Sequence, residues 1–309
     1  MLSQVVSLYQ IDNPSLAAAL KELKATAQID LDAVRSRAHS LGRRRADKLV
    51  KSCLSEGHFA SRHNGPGFTA LIFGQHNLNL GDILEHHCQN IAAGQNLLKL
   101  QAKTQLSMVE SYCVKSYKPA KALTTPYAQR AWQGLLTLRF NGLPTAEPVA
   151  LVVNDDRSSA LVTGYLNLRG FDRFLYHDFQ QLDVKQRYHL IGAYGRLIGR
   201  MHARGIYHAD LKACNVLIDP AAATFYFIDT DRVESYASLS LEHRIKNLVQ
   251  INNSIPREVA PPIRMHFMKC YSEETGDDPK RLFAKVWLKS CKQEILYTTD
   301  QGDQREFWR

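Results

Sequence analysis

The spacing of apolar residues changes character several times along the chain. The first sixty residues read as helical and polar. Asn13-Pro14-Ser15 opens one helix through Leu16, Leu20 and Leu23, and a second runs from about Asp30 with Leu31, Val34, Leu41 and Leu49 as its candidate buried positions. Ser61-Arg62-His63-Asn64-Gly65-Pro66-Gly67 breaks this pattern, and Phe68 to Phe73 reads as a strand. From Asn96 to Tyr117 the pattern is β: Leu97, Leu98 and Leu100 form one strand, Ser107 to Glu110 the next, and Tyr112 to Tyr117 the third. Thr125-Pro126 starts a helix with Trp132, Leu135, Leu136 and Leu138 as its stripe, and Asn141-Gly142 stop it. Val149 to Val153 and Ala160 to Tyr165 then form two strands around the turn Asn154-Asp155-Asp156.

Helical spacing dominates the second half. A helix from about Asp183 to Arg204 carries Leu190, Ile191, Tyr194, Leu197, Ile198 and Met201 on one face and ends at Gly205. The short strand Val216 to Ile218 leads through Asp219-Pro220 into a second apolar strand that delivers Asp229. Further helices are predicted around Leu241 to Asn252 and Ile263 to Tyr271, and Thr299 to Arg309 reads as a polar, frayed end.

Composition narrows the class. Of 309 residues, 45% are apolar and 22% charged, an ordinary balance for a folded chain long enough for two lobes. No run of about eighteen apolar residues is present, so no helix is expected to span a bilayer. Met1 to Gln10 lacks the features of a secretory leader, and a cytoplasmic location is expected. The six cysteines (Cys53, Cys88, Cys113, Cys214, Cys270, Cys291) have no Cys-x-x-Cys spacing, so reduced thiols are expected and a zinc site is not. His86-His87-Cys88 is read as structural, because adjacent residues of one helix point in different directions.

The net charge of +9 favours an anionic partner, whether nucleic acid, acidic membrane or phosphorylated substrate. Arg35, Arg37, Arg43, Arg44, Arg45, Lys48 and Lys51 lie on the second helix, which can rest on an anionic membrane face or pack as a solvated helix on the next lobe. No aromatics alternate with these arginines, so nucleic acid is not the expected partner.

The candidate chemistry lies after Gly205. A tight polar loop presents Asp210 and Asn215, and the next strand brings Asp229. Either loop residue alone would suit a turn. The ordered set His-x-Asp-Leu-Lys-x-x-Asn from His208, followed by Ile-Asp-x-Asp from Ile228, points to phosphoryl transfer, where one carboxylate orients the attacking hydroxyl and other oxygens hold magnesium on the phosphates. Upstream, Lys115 interrupts an apolar strand after Cys113 and Val114. A lysine there is a snorkelling edge residue or a phosphate ligand, and its place before the acidic loops favours the second.

From about Leu97 to Tyr271 the chain resembles the protein-kinase-like fold, and within it the bacterial lipopolysaccharide core kinases that phosphorylate heptose or 3-deoxy-manno-octulosonic acid (Kdo). Val114-Lys115, Arg130-Ala131-Trp132 leading to Gly142-Leu143-Pro144-Thr145, and His208-Ala209-Asp210-Leu211-Lys212 carry the resemblance, with Ile228-Asp229-Thr230-Asp231-Arg232 and the stretch from Arg244 to Ser254. It implies an α+β, two-lobed fold, and the helical, basic N-terminal extension expected over residues 1–62 lies outside the resemblance. Residues 63–165 would form a β-rich nucleotide lobe and residues 166–309 a mainly helical catalytic lobe. The implied cofactors are ATP and Mg2+, and the implied acceptor is a lipid-linked core oligosaccharide, met in the cytoplasm or peripherally at the inner membrane face. By the same resemblance Asp210 orients the acceptor hydroxyl, Lys212 steadies the transferring phosphate, Lys115 contacts the inner phosphates of ATP, and Asn215 and Asp229 bind magnesium. Asp231 touches metal or caps a turn.

Several positions depart from that pattern. Residue 209 is alanine where protein kinases carry arginine, Thr230-Asp231 replaces Phe-Gly, and no Ala-Pro-Glu follows, which argues against a regulated protein kinase. The expected phosphate loop, Gln101 to Ser107, has no glycine, and the helix from Pro126 to Phe140 has no acid to pair with Lys115. Gln129, Gln133 or an acid of the N-terminal segment is left as substitute. A small-molecule phosphotransferase and a pseudokinase acting as a binding protein are the competing readings.

Overall fold

The computed structural model describes residues 31–74, 78–101 and 103–308, with side chains from residue 37 onward. The helix expected through Leu16, Leu20 and Leu23, and the side chains of Leu31, Val34 and Arg35, lie outside the described residues. The architecture is α+β and kinase-like, with a sheet lobe followed by a helical lobe.

The sheet lobe is a seven-stranded sheet in the order β1-β2-β6-β7-β5-β4-β3, antiparallel throughout. The strands are β1 (Ala60–Gly65), β2 (Phe68–Phe73), β3 (Leu97–Leu100), β4 (Thr104–Val109), β5 (Tyr112–Tyr117), β6 (Pro148–Asn154) and β7 (Ser159–Gly164). Alternation along each strand gives the sheet two apolar faces. Ala70, Ile72, Val114, Val152 and Val162 meet Leu80 and Ile83 of helix α2 (Leu80–Ala93) on one face. Leu71, Leu151 and Leu161 meet Ala131, Trp132 and Leu135 of helix α3 (Tyr127–Phe140) on the other.

Helix α1 (Leu31–Ser52) leads into that second face. Cys53 joins the core around Trp132, whose indole N–H donates to the Cys53 carbonyl at 3.1 Å. Arg43 reaches the other lobe, donating to the carbonyls of Tyr236 (3.0 Å) and Ala237. The described part of the extension thus touches both lobes. Leu41, expected to be buried, is 57% exposed, and the smaller Ala46 takes the inward position.

The helical lobe holds α4 (Phe171–His177), α5 (Val184–Ala203), α6 (Leu241–Asn252), α7 (Pro261–Thr275) and α8 (Pro279–Ser290). Asp183 and Gln186 cap α5 reciprocally, and its stripe Leu190, Ile191, Tyr194, Leu197, Ile198 and Met201 lies in the main core. Two short antiparallel pairs cross this lobe: the hairpin of β10 (Val216–Asp219) with β11 (Thr224–Phe227), and β9 (Ile206–His208) with β12 (Val233–Ser235), which flank that hairpin in sequence. A two-residue strand, β8 (Arg169–Gly170), pairs with β10.

The expected frayed end is instead a hairpin of β13 (Ile295–Thr299) and β14 (Gly302–Glu306). Ile295 and Tyr297 bury its inner side, and Leu296 N–H donates to the Asn253 carbonyl at 2.8 Å. The polar run Gly-Asp-Gln-Arg-Glu concealed β14, because its ladder comes from β13 rather than from an apolar face of its own. Helix α8 was likewise not anticipated.

Candidate active site

The loop after α5 is built from glycine outward. Gly205 adopts a positive φ of 75°, and a Cβ there would lie 2.2 Å from the Tyr236 carbonyl oxygen, so the turn admits no side chain. β9 then runs to His208, which is fully buried. His208 Nε2 faces the Ile228 carbonyl at 3.4 Å and Nδ1 accepts the Asp210 N–H at 3.3 Å, a pattern that requires the neutral ring protonated on Nε2. Burial pushes the His208 pKa below its usual value, in keeping with that form.

Helix α6 holds the loop from below. Asn247 Nδ2 donates to the His208 carbonyl at 2.7 Å, and Gln250 Nε2 donates to the Ala209 carbonyl at 2.7 Å. Gln250 Oε1 accepts from Leu211 N–H at 3.2 Å, and Ser254 Oγ, just beyond the helix, accepts from Ala213 N–H at 2.8 Å. Asn247 Oδ1 contacts His202 Nε2 at 3.2 Å, and His202 Nδ1 contacts the Tyr271 hydroxyl at 2.9 Å. Sequence reading assigned no role to Asn247, Gln250, Ser254 or His202. The available signal was three polar residues at one helical spacing among Leu248, Val249 and Ile251.

The structure brings Asp210, Lys212 and Asn215 together. Lys212 Nζ lies 3.1 Å from Asp210 Oδ1, and Asn215 Nδ2 donates to the Asp210 carbonyl at 2.8 Å and to Asp210 Oδ2 at 3.2 Å. Ile228 N–H donates to the Asn215 carbonyl at 3.0 Å, tying this loop to the turn that carries Asp229. Asp229 itself has a φ of 58°, an uncommon left-handed conformation for a residue with a side chain.

Across the cleft, Lys115 on β5 meets both acids. Its Nζ lies 2.5 Å from Asp229 Oδ1 and 3.0 Å from Asp231 Oδ1, and the Tyr117 hydroxyl donates to Asp231 Oδ1 at 2.7 Å. Burial works against the Lys115 charge, but Asp229 and Asp231 outweigh it, so its pKa stands above the ordinary lysine value. Burial likewise opposes ionisation of Asp229, and Lys115 overcomes it, holding that carboxyl below its usual range.

Asp229 and Asp231 therefore pair with Lys115, and Gln129 and Gln133 of α3 do not. The reason is the seat of α3. A Cβ at Gly134 would lie 2.0 Å from the Thr230 carbonyl oxygen, and Thr230 Oγ1 donates to the Ala131 carbonyl at 2.8 Å. The helix rests directly on the backbone between the two acids, and the loop beneath it supplies the countercharge. The expected phosphate loop also changes, because Thr104 to Ser107 belong to β4. His87 is structural, contacting Ser107 Oγ at 2.6 Å and Ser116 Oγ at 2.9 Å.

Asn215 Oδ1 and Asp229 Oδ2 are the hard oxygens suited to a magnesium ion that also takes phosphate oxygens, since Asn215 Nδ2 and Asp229 Oδ1 are engaged elsewhere. The described residues include no group of three or more His, Cys, Asp or Glu side chains able to hold a metal unaided.

The model of the lipopolysaccharide kinase (Kdo/WaaP) family matches residues 96–271, more than half of the chain. The chain belongs to this family. Its members are kinases, so the protein is an ATP-dependent phosphotransferase acting on sugar hydroxyls in lipopolysaccharide biosynthesis. No curated protein matches the chain. A similar solved structure, WaaP in complex with acyl carrier protein, is 20% identical over 64% of this chain and 88% of its own, with a TM-score of 0.49. Among the described residues, no helix of this lipopolysaccharide kinase is long and apolar enough to cross a membrane.

Proposed function

We propose that this kinase transfers the terminal phosphate of ATP to a heptose or Kdo hydroxyl of a lipid-linked core oligosaccharide at the inner membrane face. The observation that carries the reading is the convergence of Asp210, Lys212, Asn215, Asp229 and Asp231 on one wall of the cleft with Lys115 on the other. Asp210 accepts or orients the acceptor hydroxyl proton, and Lys212 neutralises charge on the transferring phosphate. Asn215 and Asp229 would hold Mg2+, which would supply positive charge against the phosphates. Lys115 contacts the inner phosphates. Asp231, first read as metal ligand or turn cap, sets the position of Lys115 together with Tyr117. On this reading residues 63–165 are the nucleotide lobe, residues 166–309 the catalytic lobe, and residues 1–62 a basic extension.

The membrane part of the proposal rests on Arg37, Arg44, Arg45, Lys48 and Lys51, all exposed on α1. Basic groups near an anionic surface contribute on the order of 1 kcal/mol each, and salt screens them. Two arginines of the helical lobe are committed internally instead. Arg264 is buried and donates to the carbonyls of Val259, Asn252, Ile255 and Pro256, while Arg244 pairs with Asp277.

The test incubates the protein with labelled ATP, Mg2+ and purified core lipopolysaccharide on anionic vesicles, with aminoglycoside and protein acceptors alongside. Phosphate on a core sugar, with vesicle binding at low salt that is lost at high salt, is expected. Labelling of a small acceptor in preference to lipopolysaccharide, or no vesicle binding at low salt, overturns the membrane-sugar reading.

A further inference from the structure

The edge of the nucleotide lobe carries a second lysine whose orientation depends on an irregularity in one strand. Residues directly opposed on neighbouring strands project from the same face of a sheet. Leu161, Lys115 and Leu106 are opposed across β7, β5 and β4, on the face that carries Lys115 into the cleft. Regular pairing of β3 from Leu97 opposite Ser107 would place Leu98 opposite Leu106 and turn Lys99 to the α2 side. The register shifts instead between Leu97 and Lys99, and Lys99 stands opposite Leu106. One extra residue in β3 thus exchanges a leucine for a lysine in the cleft row, and bulges next to active sites commonly re-aim a side chain in this way.

The position suits a polyphosphate. Two strand spacings place the Lys99 and Lys115 backbones roughly 10 Å apart on one face. Both side chains are long enough to converge on a ligand between them. Lys115 is partly buried and engaged by two carboxylates, whereas Lys99 is exposed and enters no ion pair among the described residues. The short turn of this hairpin has no glycine, so backbone N–H groups cannot approach phosphates as a glycine-rich loop allows.

We propose that Lys99, turned into the cleft by the β3 bulge, is a second phosphate-binding lysine for the nucleotide, supplying by side-chain charge what the glycine-free hairpin cannot supply by backbone. The proposal rests on the nucleotide reading of the Lys115–Asp229 site.

The experiment measures calorimetric binding of the Mg2+ complex of the non-hydrolysable analogue AMP-PNP, and of adenosine, to the full chain. Lys99→Met is expected to weaken AMP-PNP by about tenfold or more, as loss of one charge-assisted contact does, with adenosine changed less than about twofold. Lys99→Arg is expected to restore most of the affinity. The exchange Leu98→Lys with Lys99→Leu conserves charge but puts the lysine at the bulge, and is expected to bind as weakly as Lys99→Met. Lys121→Met, an equal charge loss elsewhere on the lobe, serves as the unaffected control. AMP-PNP affinity of Lys99→Met equal to wild type, or full rescue by the exchanged pair, overturns the proposal. If Lys115→Met weakens binding while Lys99→Met does not, only the role of Lys99 falls. No AMP-PNP binding by wild type overturns the nucleotide reading and this proposal with it.

Discussion

The two walls of the cleft are held in opposite ways. On the wall proposed as catalytic, the backbone from His208 to Ala213 is fastened by Asn247, Gln250 and Ser254, and Asn247 in turn contacts His202, which contacts Tyr271. These groups are buried or nearly so, and their partners are protein atoms in fixed places. On the wall proposed for the nucleotide, the β3–β4 hairpin presents exposed residues beside a bulge, and the Lys115 charge is balanced by Asp229 and Asp231, the acids proposed for metal binding and lysine positioning. The contrast separates a wall whose geometry is set before any ligand arrives from one whose charges a ligand must rearrange. A phosphoryl acceptor needs a carboxylate in one orientation, whereas a triphosphate tolerates cations placed less rigidly.

The sharpest way to break this comparison is Asp210→Ala. If the catalytic wall handles the acceptor and the opposite wall the nucleotide, turnover falls by about a thousandfold or more while AMP-PNP affinity stays within a few-fold. Near-normal turnover in this variant would remove Asp210 from the chemistry. A large loss of nucleotide affinity instead would mean that the two walls are not separable.

Asn247→Ala probes how the catalytic wall is held. The substitution leaves the His208 carbonyl and the His202 ring without their shared partner, and each buried unsatisfied group costs about 1–3 kcal/mol. The expected outcome is a lower melting temperature and a lower kcat, with KM for ATP little changed. Melting and turnover identical to wild type would show that α6 does not fix the loop. Asn247→Asp retains the acceptor oxygen but loses the donated bond to the His208 carbonyl, so it is expected to recover little.

What was legible in the sequence divides along the same line as the two walls. Asp210, Lys212, Asn215, Asp229 and Lys115, the residues proposed for the chemistry, were readable as candidates because phosphoryl transfer restricts residue type and order. The brace could not, since Asn247 and Gln250 act on backbone about forty residues earlier and no local rule relates the two. The partners of Lys115 were missed because they come from a turn more than a hundred residues later in the chain, which α3 meets closely at Gly134. Arg264 shows that charge does not mark surface by itself, since backbone carbonyls satisfy its guanidinium in the core. The bulge in β3 was invisible because Leu-Leu-Lys-Leu has no alternation that distinguishes one register from the next.

The smallest expected effect places the pH sensitivity of the fold in the catalytic wall. His202 is buried against Asn247 and Tyr271, with Arg244 nearby; burial drives its pKa down to about 3, only partly opposed by the Asn247 hydrogen bond. In the unfolded chain the same ring titrates near 6.5. Above that pH the ring is neutral in both states and costs nothing. As pH falls below it, the unfolded chain takes up a proton that the folded one refuses, so stability declines toward the folded pKa. At pH 5 the loss from this one group is about 2 kcal/mol. His208 shifts in the same direction, also through burial, and adds to the decline. Melting of wild type is therefore expected to drop between pH 7.5 and pH 5, and His202→Gln, which keeps hydrogen-bonding capacity but cannot titrate, is expected to show a shallower fall. An equal slope in both proteins would mean that the pH dependence arises outside the braced loop, and that the His202 ring contributes to the brace through its hydrogen bonds alone.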